Sequence, residues 1–259
     1  MCVAQTRQDE LLTLLQNPAT GNPLAFEGDA MIDTVTSERF AVRNGIPVIL
    51  RKDDVFGWNR TQQRNYDLFS LVYDLIYTFN VWNVQQWLDE IAGIMEVESG
   101  DRVLETSVGT GQQIRNLYEH GVEGRFFGND ITYGQLNKCR KNIGKWGIDV
   151  GLVQGNAEAL PFNDELFDVV FHIGSINVFN DKRTAIHEMI RVAKPGANLY
   201  VADESVKFKE QSTFFGPLMP EPEPGVYDPP IGLIPDGMFD VTTRDLWDGK
   251  FWMVSFRKP

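Results

Sequence analysis

One stretch of eleven residues, Asp101 to Gly111 (DRVLETSVGTG), limits most narrowly the fold that this chain can adopt. The apolar pair Val103-Leu104 predicts a buried strand, Ser107 to Gly111 a turn of small residues, and the sequence from Gln112 onward a helix. Glycine suits such a turn because the backbone must bend sharply, and because a Cβ would keep a ligand away from the peptide planes. A strand, a glycine turn and a helix in this order form the nucleotide-binding corner of an open α/β sheet.

The spacing of the glycines distinguishes two kinds of nucleotide cofactor. A dinucleotide fingerprint, G-x-G-x-x-G, requires a third glycine, and Ile114 occupies that position after Gly109 and Gly111. The chain instead places an acid, Glu105, before a small-x-G-x-G turn. In these residues it resembles the first motif of class I S-adenosylmethionine-dependent methyltransferases, of the type similar to the ubiquinone and menaquinone C-methyltransferases. Ser107 stands where that family usually has its first glycine.

The resemblance implies which residues bind the methionine and ribose parts of S-adenosylmethionine. Glu105 would bind the ammonium group, directly or through water, and Gly109 and Gly111 would let the backbone of the turn that includes Ser107 approach the ligand. Asp130 follows Glu105 by 25 residues at the end of the next predicted strand. An acid at this position accepts hydrogen bonds from ribose hydroxyls in nucleoside sites of this architecture.

The adenine contacts implied by the resemblance come from two later segments. Asn156-Ala157, in GNAEALPF, matches the D-A segment of the family, whose acid meets the adenine amino group. Asparagine can accept the same hydrogen bond through its carbonyl oxygen. Ile131 and Leu160 would sandwich the purine, and Ile173 at the end of a strand would also line the cofactor site.

Two residues at predicted strand ends, His172 and Glu204, are the candidates for a catalytic role. Methyl transfer is an in-line displacement, to which alignment of the reactants contributes most. A base is needed only where the acceptor must lose a proton. The alternative for His172 is a strand-end histidine with a structural role. Trp58, Trp82 and Phe214-Phe215 are candidates for an apolar acceptor pocket.

Residues 1–52 predict a small β-rich segment, the second half of which resembles the zinc-ribbon-like Trm112 type of domain through Asn44-Gly45-Ile46-Pro47-Val48. Asn17 and Thr20 stand where the first cysteine pair of that domain would be, and Asp33 and Thr36 near the second. A structural zinc site needs thiolate or imidazole ligands, so we expect the ribbon shape without a metal. A β-rich extension of no particular family is the alternative.

Residues 53–98 predict a linker followed by a helical lid. Apolar residues recur at helical spacing from Leu68 to Phe79, and the pairs Tyr66-Asp67 and Tyr73-Asp74 resemble the Y-D-x-x-A-x-x-Y-D segment of the same methyltransferases. The resemblance implies that Tyr66 and Tyr73 contact the cofactor. The alternative is an aromatic helix packed on the sheet, which is the more common role of such stripes.

Residues 99–259 predict the cofactor-binding core. Strands alternate with helices of about ten residues, a pattern typical of a parallel, doubly wound sheet. We therefore expect an α/β fold with a Rossmann-like, seven-stranded methyltransferase sheet, a small N-terminal β-rich segment and a helical lid. The predicted strands are 103–104, 125–129, 150–154, 167–173 and 198–202, followed by a hairpin of 238–245 and 251–257.

The net charge and the cysteine content limit the classes of partner and of metal site that this chain can have. A net charge of -12 argues against nucleic acid, because binding to phosphates depends on clustered Lys and Arg. Cys2 and Cys139 are too few for a cysteine zinc site, and one bridge between them remains open. The sequence has neither a signal peptide nor an apolar run that spans a bilayer, so we expect a cytoplasmic protein, with a homodimer left open.

Two classes of function follow. The first is an S-adenosylmethionine-dependent methyltransferase with a small, apolar or aromatic acceptor. The second is a partner subunit that keeps the fold without catalysis, which the serine at position 107 and the metal-less N-terminal segment would allow. An enzyme that uses the bound cofactor for a reaction other than transfer is a third alternative.

Overall fold

The computed structural model describes residues 6–51, 55, 57, 84–212 and 226–259. Within these ranges, no helix combines the length and the apolar character needed to cross a bilayer. The predictions made for Cys2, Trp58, Tyr66, Tyr73, Trp82, Phe214 and Phe215 lie outside the described residues.

The N-terminal segment is one short helix and a four-stranded antiparallel sheet, in the order β1-β2-β3-β4. Its elements are α1 (Arg7–Leu12), β1 (Leu24–Glu27), β2 (Ala30–Asp33), β3 (Arg39–Arg43) and β4 (Ile46–Pro47). The apolar spacing of residues 8–16 (QDELLTLLQ) predicts one amphipathic helix, but the helix ends at Leu12. The chain leaves the helix because Leu14 and Gln16 instead exchange backbone hydrogen bonds of 3.0 Å with Asn163 and Pro161.

Seven strands form the main sheet, and helices separate most of them. In chain order the elements are α2 (Val84–Ile94), β5 (Arg102–Thr106), α3 (Gln112–Glu119), β6 (Arg125–Asp130), α4 (Tyr133–Trp146), β7 (Val150–Gln154), β8 (Phe167–Ile173), α5 (Lys182–Val192), β9 (Ala193–Glu204), α6 (Val206–Gln211), β10 (Phe239–Leu246) and β11 (Phe251–Arg257).

The strand order β10-β11-β9-β8-β5-β6-β7 confirms the predicted doubly wound, seven-stranded sheet. The five adjacent strands β9, β8, β5, β6 and β7 are parallel to one another. Strand β11 runs antiparallel to both of its neighbours, β9 and β10. The direction of winding reverses beside β5, since β6 and β7 lie on one side of it and β8 and β9 on the other. In open α/β sheets ligands bind at this reversal, outside the carboxyl ends of the strands.

Both faces of the parallel part of the sheet are buried. Neighbouring residues of a strand point to opposite faces, so Leu104 and Val170 join one core cluster while Val103 and Phe171 join the other. Helices α1 and α5 contribute to the first cluster, and α2, α3 and α4 to the second. The continuous apolar run of β8 is typical of a parallel strand that is covered on both sides.

Strand β9 begins earlier than the sequence predicts. The sequence Lys194-Pro195-Gly196 predicts a helix stop and a turn, but Ala193 already pairs with Phe167 of β8. The register between β8 and β9 shifts after this pair, and such an irregularity tolerates a proline that has no N–H for the ladder. Gly196 and Ala197 are hydrogen-bonded to Lys258 beyond β11, which extends the strand.

Candidate cofactor-binding site

The turn between β5 and α3 has three residues in the left-handed backbone conformation. They are Ser107 (φ +65), Gly109 (φ +53) and Gly111 (φ +86). Among the described residues, none would lie within 4 Å of a Cβ on Gly109, so this part of the chain leaves the space over the residue open to a ligand. A Cβ on Gly111 would lie 2.9 Å from Cys139 Sγ of α4, so this glycine is needed for packing as well as for its φ. The turn is therefore a cradle whose inner side is backbone.

Asp130 at the end of β6 lies directly against this turn. Its Oδ2 accepts a hydrogen bond of 2.9 Å from the backbone N–H of Gly109, and its Oδ1 accepts one of 2.8 Å from Thr132. The side chain is 7% exposed, so a ligand can still reach it. The structure thus brings together the predicted glycine turn and the predicted ribose acid, which are 21 residues apart in the chain.

Glu105 supplies a buried carboxyl group beside the same turn. It is 4% exposed, and within the described part of the chain its Oε2 has no hydrogen-bond partner. Burial, and then the nearby Asp130 carboxylate, raise the pKa of Glu105 well above its usual range. An unpaired carboxyl group in such surroundings is costly, and a cationic group placed beside it relieves that cost. The residue therefore fits the ammonium group of an amino-acid ligand.

The predicted adenine residues lie at the ends of β6, β7 and β8. Asn156 Oδ1 accepts a 3.0 Å hydrogen bond from the N–H of Glu158, and an amide oxygen has a second lone pair for another donor. Ala157 beside it is 6% exposed, and Ile131 and Ile173 are half-buried. Leu160 contradicts the prediction of a purine contact, because its side chain has no exposed surface and packs in the core.

His172 points away from solvent, into the sheet's own core. Its Nδ1 lies 3.0 Å from Thr106 Oγ1, its ring packs edge-to-face on Phe179 at 5.0 Å, and only 1% of the residue is exposed. Burial lowers the pKa of His172 to about 4 against the opposing charge of Asp203, so the imidazole is neutral near pH 7. Nε2 is buried and has no hydrogen-bond partner among the described residues, so the ring has little surface from which to take an acceptor's proton.

Glu204 is half-buried at the end of β9. Burial, and then the adjacent Asp203 carboxylate, raise the pKa of Glu204 well above its usual range. A carboxyl group with a raised pKa keeps its proton more readily than an ordinary glutamate, and in that form it can donate a hydrogen bond. A catalytic role for either His172 or Glu204 stays a prediction, and the geometry favours a positioning role.

Sequence reasoning missed Asp203, which is fully buried next to Glu204. Its carboxylate accepts hydrogen bonds from the N–H groups of Ser175 (3.1 Å), Asn177 (2.7 Å) and Glu204 (2.8 Å). It thereby holds the loop after β8, in which Gly174 and Ser175 both have positive φ. The pair of adjacent acids at the end of a strand could have indicated it, because successive side chains of a strand point to opposite faces and one of the two acids must point inward.

The four positions predicted to replace zinc ligands meet around one carboxylate in the N-terminal segment. Asp33 accepts hydrogen bonds from Asn17 Nδ2 (2.7 Å), Thr20 Oγ1 (3.0 Å) and the Thr36 N–H (2.8 Å). Within the described ranges no group of three or more His, Cys, Asp or Glu side chains is arranged to hold a metal ion. The resemblance of this segment to Trm112 stays a prediction.

Comparison with known proteins agrees with the geometry of the main sheet. Residues 104–201 match the model of a family described as methyltransferase domain. This part of the chain is therefore similar to methyltransferase domains. The matched residues run from β5 into β9 and so include the glycine turn, Asp130 and the Asn156 segment.

Two curated relatives illustrate the similarity in sequence. The chain is 37% identical over 145 residues to the ubiquinone/menaquinone biosynthesis C-methyltransferase UbiE of Stenotrophomonas maltophilia (strain R551-3), a match that covers 55% of each chain. It is 33% identical over 151 residues to the demethylmenaquinone methyltransferase of Shouchella clausii (strain KSM-K16), covering 56% of this chain and 64% of that one. The chain therefore spans about half the length of the curated relatives it matches.

A solved structure supports the fold. A SAM-dependent methyltransferase from Aquifex aeolicus superposes with a TM-score of 0.57 at 19% identity, over 72% of this chain and 98% of that one. At this identity the likeness concerns the arrangement of strands and helices. It agrees with the strand order described above and confirms the Rossmann-like methyltransferase architecture.

Proposed function

We propose that this chain binds S-adenosylmethionine and transfers its methyl group to a small acceptor. The observation that carries the proposal is the contact between the Gly109 N–H and the Asp130 carboxylate, at the carboxyl ends of β5 and β6. It joins an open glycine cradle to an acid suited to ribose, with the unpaired Glu105 carboxyl group nearby. This is the edge of the sheet at which doubly wound folds bind nucleosides.

The cofactor, when bound, supplies a methyl group made electrophilic by the adjacent sulfonium. The residues of the chain bind and orient it. Glu105 holds the ammonium group, Asp130 accepts hydrogen bonds from the ribose hydroxyls, and the backbone at Gly109 allows close approach. Asn156 accepts from the adenine amino group. Because the leaving group is already activated, holding the two reactants in line accounts for most of the rate that the protein must provide.

A ring carbon of a small aromatic acceptor is the first acceptor class to test. Support comes from the relatives, whose names describe C-methylation in ubiquinone and menaquinone biosynthesis. Because the chain matches only about half the length of these relatives, the acceptor class is proposed separately from the cofactor. Neither His172 nor Glu204 is assigned as a base, since one is neutral and enclosed and the other favours its protonated form.

Asp130→Ala tests the cofactor site directly. Calorimetry with S-adenosylhomocysteine should give micromolar binding to the wild-type protein, as is usual for metabolite sites. The variant should bind roughly a hundredfold more weakly or worse, because it loses charge-assisted hydrogen bonds to the ribose. Asp236→Ala, at an exposed acid outside the site, is the matched control and should bind like the wild type. Wild-type protein that does not bind the ligand would overturn the proposal and favour a non-catalytic partner.

The acceptor class is tested by following S-adenosylhomocysteine release with a panel of hydroquinones, phenols and amines. Release that depends on a hydroquinone, with the new methyl group on a ring carbon by mass spectrometry, supports the proposed class. Cofactor binding without release on any acceptor would support the partner-subunit alternative.

A further inference from the structure

The loop that follows Asp130 is held on its outer side by the N-terminal segment. Tyr133, the first residue of α4, donates a hydrogen bond of 3.1 Å from its hydroxyl group to the carbonyl oxygen of Arg43. The same hydroxyl oxygen accepts one of 3.1 Å from Asn44 Nδ2. The Arg43 guanidinium also lies 5.8 Å from the centre of the tyrosine ring. The turn between β3 and β4 therefore holds the start of α4, three residues after the ribose acid.

A second connection runs through Gln154 at the end of β7. Its side-chain Nε2 donates a hydrogen bond of 2.9 Å to the carbonyl oxygen of Ile131, the predicted purine contact. Its backbone carbonyl accepts one of 2.8 Å from the N–H of Ile49 in the N-terminal segment. Gly155 donates to the carbonyl oxygen of Asp130 at 3.1 Å. Gln154 thus connects Ile49 to the backbone of Ile131, whose side chain is the predicted purine contact.

A third set of contacts fixes the N-terminal segment to the sheet itself. The Gln8 side-chain amide pairs with Leu152 of β7, donating to its carbonyl at 3.1 Å and accepting from its N–H at 2.8 Å. Leu15 and Ile46 are each 1% exposed within the two core clusters. The segment therefore covers the edge strand of the sheet and has a defined position relative to β7.

We propose that residues 6–51 are an intramolecular brace for the adenosine half of the cofactor site, with Tyr133 and Gln154 as positioning residues. The brace fixes the outer side of the loop from Asp130 to Tyr133, while the glycine turn fixes its inner side. Neither positioning residue needs to touch the ligand. Each sets where the ribose acid and the purine contact lie, and small displacements of binding groups weaken binding. The inference rests on the proposed cofactor site.

Tyr133→Phe removes the hydroxyl group and keeps the ring. The probes are S-adenosylhomocysteine and 5′-methylthioadenosine, which has the adenosine part without the amino-acid tail. We expect both dissociation constants to rise by the same factor, about three- to tenfold, as for the loss of one hydrogen bond. In turnover, KM for S-adenosylmethionine should rise with kcat nearly unchanged. Tyr118→Phe, at a tyrosine 48% exposed on α3, is the matched control and should change neither constant.

Asn44→Gly removes the partner of the Tyr133 hydroxyl group that lies in the N-terminal segment. Asn44 has φ +50, so glycine removes the donor without straining the turn. This variant should weaken both probes in the same direction as Tyr133→Phe, and it tests the brace if that variant does not fold. Unchanged affinity for both probes in a folded variant, even with a lower melting temperature, would overturn the brace, as would a loss confined to S-adenosylhomocysteine. If the wild-type protein binds neither probe, the proposed function itself fails.

Discussion

Ser107 has a backbone conformation that L-residues with a side chain rarely adopt. Its φ of +65 lies in the left-handed region, where the Cβ crowds the backbone, at a cost on the order of 1 kcal/mol. The related family usually has glycine here, and the structure shows the physical reason. The turn keeps its shape because Gly109 is hydrogen-bonded to Asp130 and Gly111 packs against α4, so the surroundings impose the conformation on Ser107.

Ser107→Gly should therefore stabilise the protein. We expect the free energy of unfolding to rise by less than about 1 kcal/mol, because glycine relieves the strain but also gives the unfolded chain more freedom. Urea denaturation at constant m-value measures this change. Ser99→Gly, at a serine without positive φ, is the control and should be neutral or destabilising. A less stable Ser107→Gly protein would show that the side chain contributes more than its backbone conformation costs.

At the scale of elements, the N-terminal sheet is organised around one carboxylate. Burial alone would raise the pKa of Asp33, but hydrogen bonds from Thr36, Asn17, Val35 and Thr20 outweigh burial and hold it below its usual range. A hydrogen bond from Arg51 lowers the pKa of the neighbouring Glu38, against the opposing charge of Asp33. A group whose pKa is depressed by folding stabilises the folded state above its unfolded pKa, and that stabilisation is lost as the pH falls.

Asp33→Asn should remove the part of the pH dependence of stability that comes from this carboxylate. The wild-type melting temperature should fall more steeply with acid than that of the variant once the pH drops below about 3.9, the ordinary value for an aspartate. At pH 7 the variant should melt at a lower temperature. The amide nitrogen of asparagine would stand where a carboxylate oxygen of Asp33 accepts hydrogen bonds, and it cannot accept them. Asp29→Asn, at an acid that is 95% exposed, is the control. Parallel pH profiles for Asp33→Asn and the wild type would contradict the assignment.

At the scale of the molecule, the N-terminal segment and the main sheet share one core. Leu11 and Leu15 belong to the same cluster as Phe127 and Phe162. Glu10 of α1, whose side chain is 10% exposed, forms ion pairs with Arg102 and Arg125 at the starts of β5 and β6. Burial opposes ionisation of this carboxyl group, but the three surrounding arginines lower its pKa. Such contacts predict that the two parts unfold together.

Leu15→Ala tests that prediction. The residue is 1% exposed, and truncation of a buried leucine costs about 2–5 kcal/mol through lost burial and the cavity left behind. The destabilisation should appear in a single transition that tryptophan fluorescence and far-UV circular dichroism report alike. Val35→Ala, at a valine 72% exposed, should change little. Two separate transitions, with the later one unaffected by Leu15→Ala, would show that the segment folds independently.

Local sequence patterns predicted the elements of the main sheet well. The bounds of β7 and β8 agree with the predicted strands because a run of apolar residues between polar ends is a local signal. The start of β9 was missed because pairing with β8 and with Lys258 overrode the turn tendency of Pro195-Gly196. The resemblance to Trm112 singled out Asn17, Thr20, Asp33 and Thr36, yet the hydrogen bonds that join them depend on how β2 folds back.

The sequence by itself determined the strand–turn–helix corner, the place of Asp130 at the end of the next strand and the doubly wound class, because each depends on residue types at short spacing. Only the tertiary structure decided which polar groups meet. It buried His172 and Leu160, turned Asp203 rather than Glu204 inward, and placed the N-terminal segment on the edge of β7. The physical reason is that burial and hydrogen-bond partners are set by strands and loops far apart in the chain, which no local pattern records.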